Sequence, residues 1–341
     1  MYQYRLALFA GAASVAGAFS GFLAFAIDFM NGDGGLEGWS WIFILEGIAT
    51  IIAALIAFAV MVDYPDTAKF LSLEERAFII EKQKCDATSD EDGHMVQQVW
   101  AAFTDWQVRI VLFLIYNSDA PVQVWALSLV QMMIVGPGYG ITYFLPTIIN
   151  DFGYSASISQ LLTIPPYVLT TIVLLSFAHF SDKLKIRSPF IFAAQLIALT
   201  GYAINITAAP SGAKYFGMYL CVIGGISSTG NVSWLANNLG GRYKRAVGMA
   251  LQITMGNFGG AIACNIFRTQ DQPRYILGFA VEIVFLSIGL IAVPIIAFTY
   301  GRINARRDAA SLQMNEEKRG VVWGGKRQLI GDRAQSFRYT I

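Results

Sequence analysis

Long apolar stretches alternate with shorter polar links over most of this chain. An α-helix must contain about 20 mostly apolar residues to cross the hydrocarbon core of a bilayer, because it rises about 1.5 Å per residue. The stretches that meet this requirement are 6–28, 40–62, 124–149, 159–180, 189–209, 214–236, 246–267 and 276–300. The pattern predicts an all-α polytopic membrane protein with about eight transmembrane helices.

Small residues recur at helical spacing in two of these stretches. Gly17 and Gly21 form a Gly-x-x-x-Gly pair in the first stretch. The seventh stretch contains Gly248, Gly256, Gly259 and Gly260. Small side chains let helix backbones approach closely, which membrane helices use in place of a hydrophobic driving force. We therefore expect tight helix contacts at both places.

Basic residues divide the links between spans into two groups. The links 181–188 and 237–245 hold three Lys or Arg residues each, whereas the link 28–39 holds none. Short links that are rich in Lys and Arg stay on the cytoplasmic side of a membrane. The asymmetry predicts that the central loop 63–123 and the tail 301–341 are both cytoplasmic.

The composition supports a membrane protein and gives no sign of other chemistry. Of the 341 residues, 55% are hydrophobic and 14% are charged, whereas soluble domains have about 25% charged residues. A net charge of +1 does not indicate a nucleic-acid partner. Nothing in the sequence indicates an oligomeric state.

Residues that would hold a metal or perform catalysis are not grouped in the sequence. The three cysteines are scattered, at Cys85, Cys221 and Cys264, and the two histidines, His94 and His179, are far apart. We therefore predict no disulfide framework, no metal site and no cofactor. An enzyme is not favoured either, because the chain has no Ser/His pair and no phosphate-binding glycine loop.

Motifs around the link 237–245 resemble those of one transporter family. Three stretches look like the tenth and eleventh spans of fungal major-facilitator carriers: Trp234-Leu-Ala-Asn-Asn, Tyr243-Lys-Arg-Ala-Val-Gly-Met-Ala-Leu-Gln and Arg268-Thr-Gln-Asp-Gln-Pro-Arg-Tyr. The resemblance is to the anion:cation symporter branch and covers nearly the whole chain. It implies a plasma-membrane carrier that couples proton entry to uptake of nicotinate, allantoate, pantothenate or a similar small carboxylate.

The resemblance also implies a domain organisation. Major-facilitator carriers have two six-span halves that hold the substrate between them and alternate in access. Residues 124–300 match a complete C-terminal half, whereas 1–62 matches only the last two spans of the other half. The chain therefore resembles a carrier that is truncated at its N-terminus. The alternative function is an inactive or regulatory partial carrier without transport of its own.

Residues 108–123 interrupt the family pattern. Their apolar run is too short to cross a bilayer, and removing them would join Gln107 to Val124 as the family pattern requires. We interpret this segment as an aberrant insert, such as a retained intron, in the central cytoplasmic loop.

Polar side chains inside spans are the candidate site residues, because a polar group in a membrane needs a partner or a function. The substrate-binding candidates are Gln131, Tyr139, Tyr143, Asn231, Gln252 and Asn257. For the tyrosines, structural packing is the alternative. Two carboxylates inside spans, Glu46 and Glu282, are the proton-coupling candidates. A packing or interfacial role is the alternative for Glu46.

A short charged motif follows the fourth span. Asp182, Lys183 and Arg187 have the spacing of a loop motif that recurs in major-facilitator carriers. A carboxylate and cations at a helix end can pair with a neighbouring helix terminus and hold one conformation. We interpret these three residues as a conformational latch, and an ordinary basic loop is the alternative.

Overall fold

The computed structural model describes residues 2–62, 68, 70–86, 123–272, 274–313 and 337–341, and the regular structure within them is helical. The α-helices, in chain order, are α1 (Tyr2–Asp28), α2 (Gly38–Val60), α3 (Leu73–Asp86), α4 (Gln123–Asn150), α5 (Ala156–Leu161), α6 (Ile164–Leu184), α7 (Ser188–Ile206), α8 (Ser211–Gly224), α9 (Ile226–Asn238), α10 (Arg242–Ile266) and α11 (Ile276–Gln313). The predicted all-α architecture is confirmed.

Most of the predicted spans appear as helices whose ends are shifted by a few residues. Within the described residues, seven segments are long and apolar enough to cross a membrane, and α5 and α6 together form one of them. The predicted span 214–236 is instead divided between α8 and α9, which meet at Gly225. Gly225 keeps helical dihedral angles (φ −58°, ψ −22°). Neither helix alone has the length of a span, but the two in succession do.

The predicted glycine contacts are confirmed in the seventh stretch, where α10 packs against α4. A Cβ atom on Gly259 would lie 2.6 Å from the carbonyl oxygen of Met132, and one on Gly256 would lie 3.1 Å from Gln131 Cγ. Both distances are shorter than ordinary van der Waals contact. Glycine at these positions therefore lets the two backbones approach each other.

Helix α1 packs on α5 and α6 in the same way. A Cβ atom on Gly21 would lie 2.6 Å from Thr163 Oγ1 and 2.7 Å from the carbonyl oxygen of Gln160, and one on Gly17 would contact the Tyr167 ring at 3.4 Å. The glycine pair predicted in the first stretch is thus a helix contact. It attaches α1 to the helices that follow residue 123.

Helix α2 differs from α1, because it contains no buried residue. Its large apolar side chains, including Phe43, Ile51 and Phe58, are exposed within this chain. An apolar surface of this kind is available to lipid or to other helices.

Helix α3 begins with a reciprocal cap. Ser72 Oγ accepts a hydrogen bond from the backbone N–H of Glu75 at 3.2 Å, and Glu75 Oε2 accepts one from the backbone N–H of Ser72 at 3.0 Å. This is a capping box. The hydrogen bond from the Ser72 backbone lowers the pKa of Glu75, because it stabilises the charged carboxylate.

The structure describes only part of the predicted insert 108–123 and of the predicted tail 301–341. The predicted insert lies outside them apart from Gln123, which begins α4. The last helix, α11, is 38 residues long and continues to Gln313. The first part of the predicted tail is therefore helical.

Candidate functional site

Three of the substrate-binding candidates meet in one buried network between α4, α9 and α10. Asn231 Nδ2 donates hydrogen bonds to Gln131 Oε1 at 2.8 Å and to the carbonyl oxygen of Leu127 at 3.0 Å. Gln252 Nε2 donates to the carbonyl oxygen of Asn231 at 3.2 Å, and Gln131 Nε2 donates to Ser228 Oγ at 2.7 Å. The three amide side chains are buried. We call this set the amide network, and its geometry joins three helices.

The other three candidates form a separate group on α4 and α10. Tyr139 and Tyr143 lie four residues apart, and their rings stack with centroids 5.6 Å apart and an interplanar angle of 8°. The Tyr139 hydroxyl donates to Asn257 Oδ1 at 3.1 Å. Tyr143 and Asn257 are exposed, whereas Tyr139 is half-buried. The structure therefore divides the six candidates into a buried group and a more exposed group.

A cavity of about 430 Å³ lies between α1 and the helices α4, α6, α8, α9 and α10. Its wall is mostly apolar. The hydroxyl-bearing side chains in the wall are Ser14, Thr142, Tyr167, Thr170, Ser228 and Thr229. None of the described side chains that line it is charged. Pockets for small molecules have this size and character, so the cavity can hold a small molecule.

The predicted substrate-binding residues do not line this cavity. Gln131 reaches it through its hydrogen bond to Ser228, which is part of the wall. The amide side chains are directed to neighbouring helices instead, where their N–H groups find acceptors. Among the described residues, the side-chain oxygens of Asn231 and Gln252 have no hydrogen-bond partner.

The hydroxyl groups of the wall were missed because Ser and Thr in membrane helices commonly bond the backbone of their own helix. Thr170 does so, since its Oγ1 donates to the carbonyl oxygen of Pro166 at 2.8 Å. One signal was available in the sequence. Tyr167 and Thr170 lie three residues apart and hence on one face of a helix, and both line the cavity.

Two of the three latch candidates form a charged cluster beside the first turn of α1. Arg187 and Asp182 form an ion pair at 2.5 Å, with side chains that are 7% and 6% exposed. Asp182 Oδ2 also accepts a hydrogen bond from the backbone N–H of Tyr4 at 2.9 Å. A carboxylate is favourable there, since the N-terminal end of a helix carries partial positive charge.

Gln3 and Ser181 complete this charged cluster. Arg187 donates hydrogen bonds to the amide oxygen of Gln3 and, at 3.0 Å, to Ser181 Oγ. The Ser181 hydroxyl donates to Gln3 Oε1 at 2.7 Å. Gln3 was not predicted, because it precedes the first apolar stretch. Lys183, the third latch candidate, is exposed and lies outside the cluster.

The charged cluster defines one end of the helix bundle. The start of α1 and the link between α6 and α7 lie there. The residues that end α9 are connected to the same place through the segment 337–341. We call this the basic end, because the links 181–188 and 237–245 carry the Lys and Arg residues counted above.

The two proton-coupling candidates occupy different environments. Glu282 on α11 is fully buried, and neither of its carboxyl oxygens has a hydrogen-bond partner among the described residues. It fits against Gly140, where a Cβ atom would clash with the Glu282 carboxylate. Glu46 is exposed on α2. An ionised carboxylate without a partner is costly away from water, which makes Glu282 the stronger candidate.

Comparison with known proteins agrees with the family resemblance of the sequence motifs. The model of the Major Facilitator Superfamily matches residues 3–264. The chain is 30% identical over 341 residues to the high-affinity nicotinic acid transporter of Saccharomyces cerevisiae. The matched region covers 99% of this chain and 60% of that protein. The chain is also 30% identical over 339 residues to an uncharacterized transporter of Schizosaccharomyces pombe, which covers 99% of this chain and 63% of that protein.

A further relative is an MFS-type transporter of Penicillium expansum, which is 29% identical over 352 residues, 99% of this chain and 64% of that protein. The chain thus spans about three fifths of the length of these relatives. All three are named as transporters, so the predicted family is confirmed, and with it the prediction that the chain is not an enzyme.

Proposed function

Because this chain belongs to the Major Facilitator Superfamily, we propose that it carries a small organic anion across a membrane together with protons. The proposed substrate class is a small carboxylate such as nicotinate, as the name of the yeast relative suggests. The proposed location is the plasma membrane, with the basic end on the cytoplasmic side. We propose that transport is uptake into the cell and that it is coupled to proton entry.

This proposal rests mainly on the cavity beside α1. Ser228 Oγ in the wall accepts a hydrogen bond from Gln131, so its own proton can be donated to a carboxylate oxygen. The apolar part of the wall suits a small aromatic ring. The cavity lies where α1 meets the helices of residues 123–313. Carriers of this family hold their substrate between two halves in the same way.

Glu282 is the proposed proton site. When this buried carboxyl takes up a proton, the cost of an unpartnered charge inside the bilayer is removed. The Glu282 carboxylate lies against Gly140 of α4. The same helix contributes Thr142 to the cavity wall. A proton bound there can therefore influence the helix that contacts the substrate.

The test is uptake of radiolabelled nicotinate by cells that lack their own nicotinate uptake and express this chain. We expect uptake to be faster at external pH 5 than at pH 7.5 and to be abolished by a protonophore. Allantoate and pantothenate added in excess would show which carboxylates compete. Glu282→Gln keeps the shape of the side chain but cannot exchange a proton, so uptake should lose its dependence on external pH.

The alternative function is a regulatory partial carrier. The exposed apolar surface of α2 favours it, since that surface is available to helices of another protein. In this case the chain alone would give no uptake of any tested carboxylate. It would instead change the uptake rate when it is produced together with a full-length relative.

A further inference from the structure

The segment 337–341, which we call the strap, lies across the basic end of the bundle. Its backbone is hydrogen-bonded to residues of α9 and α11 and to the residue that precedes α7. These three helices are far apart in the sequence. The strap therefore connects them at one end of the bundle.

Two asparagines bind consecutive residues of the strap through the backbone. Asn304 Oδ1 accepts the N–H of Tyr339 at 2.9 Å, and its Nδ2 donates to the Tyr339 carbonyl oxygen at 2.8 Å. Asn238 holds Thr340 in the same way, at 2.7 Å and 3.1 Å. Trp234 Nε1 donates to the Thr340 carbonyl oxygen as well, at 2.8 Å. Paired contacts to backbone N–H and C=O groups are typical of peptide recognition.

An aromatic pocket holds one side chain of the strap. Tyr339 is buried, and its ring stacks on Tyr300 with centroids 4.9 Å apart and an interplanar angle of 19°. The Arg307 guanidinium lies 4.8 Å from the Tyr339 ring centroid, within the range of a cation–π interaction. Arg307 also donates to the carbonyl oxygen of Phe337 at 2.9 Å. The groove thus combines backbone contacts with a pocket for a tyrosine.

The strap reaches the charged cluster through Arg187. The carbonyl oxygen of Ile341 accepts the backbone N–H of Arg187 at 2.6 Å. The guanidinium of the same Arg187 binds Asp182 and Gln3. Arg187 therefore contacts the strap with its backbone and Gln3 of α1 with its side chain.

We propose that the groove formed by Trp234, Asn238, Tyr300, Asn304 and Arg307 is a peptide-binding site whose ligand is the strap. The bound strap holds Arg187 in the charged cluster, and the cluster holds the first turn of α1. Release of the strap loosens α1 from the other helices at the basic end. This inference does not depend on the identity of the substrate.

Trypsin provides a direct test of docking, because it cleaves after arginine and the bond between Arg338 and Tyr339 lies in the strap, next to the residue that Asn304 binds. Cleavage needs an accessible backbone, and Asn304 occupies both backbone groups of Tyr339. We expect the double variant Asn238→Ala/Asn304→Ala to be cut at this bond at least about tenfold faster than the unmodified protein, because it loses several hydrogen bonds that hold the strap. Release of the C-terminal peptide would be followed by mass spectrometry.

Asp308→Asn is the matched control for this experiment. Asp308 forms an ion pair with Arg338 at 2.7 Å, but its side chain is 63% exposed, so the pair should contribute little. The variant should be cut within about twofold of the unmodified rate. Equal cleavage rates for the unmodified protein and the double asparagine variant would overturn the proposal.

Amide hydrogen exchange tests the connection to α1. The strap is replaced by Gly-Ser-Gly-Ser-Gly in the full chain, and exchange is followed in peptides that contain Arg187 and Tyr4. We expect exchange at least about fivefold faster at both amides, with exchange in the middle of α4 and α10 unchanged, which shows that the variant is folded. Faster exchange at Arg187 with no change at Tyr4 would contradict the proposed connection.

Discussion

The basic end and the interior of the bundle use different polar groups to join helices. At the basic end, Asp182 in the last turn of α6 pairs with Arg187 at the start of α7, and both bind the first turn of α1. In the interior, Gln131 and Asn231 pair as neutral amides. Gln131 lies about 12 Å along α4 from the first residue of that helix.

The difference agrees with the way in which the cost of a charge varies with depth in a bilayer. A charged residue at the centre of a span costs about 2.5–3.5 kcal/mol on insertion scales. A neutral amide offers a donor and an acceptor without this cost. The chain therefore places a charged contact at a helix end and neutral contacts at depth. Glu282, a buried carboxyl inside α11, is the exception, which is why we propose that it binds a proton.

The largest effect should come from breaking the ion pair. Asp182→Asn leaves the buried Arg187 guanidinium without its carboxylate, and loss of one partner of a buried pair costs about 3–5 kcal/mol. We expect a clear decrease in the midpoint of thermal denaturation in detergent. The double variant Asp182→Asn/Arg187→Gln should lose less than the sum of the two single variants, since the paired residues are coupled.

Lys183→Ala is the control for this prediction. Lys183 is adjacent to Asp182 but exposed and outside the charged cluster, so the denaturation midpoint should not change. Equal midpoints for Lys183→Ala and Asp182→Asn would mean that the basic end is an ordinary loop, the alternative considered from the sequence.

A smaller effect is expected in the interior. Asn231→Leu removes the donor that serves Gln131 Oε1 and the Leu127 carbonyl oxygen. Measured hydrogen bonds between membrane helices contribute about 0.6–2 kcal/mol, so the midpoint should fall less than for Asp182→Asn. Asn265→Leu is the matched control, because Asn265 is exposed and donates to the carbonyl oxygen of Ala261 in its own helix.

Much of this architecture could be predicted because it depends on local features of the sequence. Apolar stretches of span length predicted the helices, and the positions of Gly21 and Gly259 predicted close helix contacts. Asp182 and Arg187 are five residues apart, on either side of a helix end, so their pairing was within reach of the sequence. Their role as a latch stays a prediction.

The features that sequence reasoning missed depend on partners that are distant in the chain. Gln131 and Asn231 were chosen separately for their polarity, and nothing local indicated that they bond each other. The strap is five residues long, too short for a periodic pattern. Its partners Asn238 and Asn304 lie far from it in sequence.

The smallest effect on stability is expected for the hydrogen bond between half-buried Tyr139 and exposed Asn257. Tyr139→Phe removes a hydrogen bond to Asn257 at 3.1 Å, and a bond that water can replace contributes about 0.5 kcal/mol. Nicotinate uptake distinguishes the two interpretations of this pair. The control is Thr254→Ala, because Thr254 is exposed and donates to the carbonyl oxygen of Ala250 in its own helix. A contact with substrate predicts lower uptake for Tyr139→Phe and normal uptake for Thr254→Ala, whereas a packing role predicts normal uptake for both.

We propose above that the cavity beside α1 binds the substrate, and protection of a thiol in the cavity wall tests this proposal most directly. Ser228→Cys places a thiol in the wall, in a background with Cys85 and Cys264 changed to serine. Membrane vesicles are treated with a membrane-permeant maleimide, with and without nicotinate, allantoate or pantothenate. We expect at least one carboxylate to slow labelling at position 228. In a control protein that keeps Ser228 and native Cys264, the same carboxylate should leave labelling of Cys264 unchanged. Equal labelling rates with and without every carboxylate would contradict it.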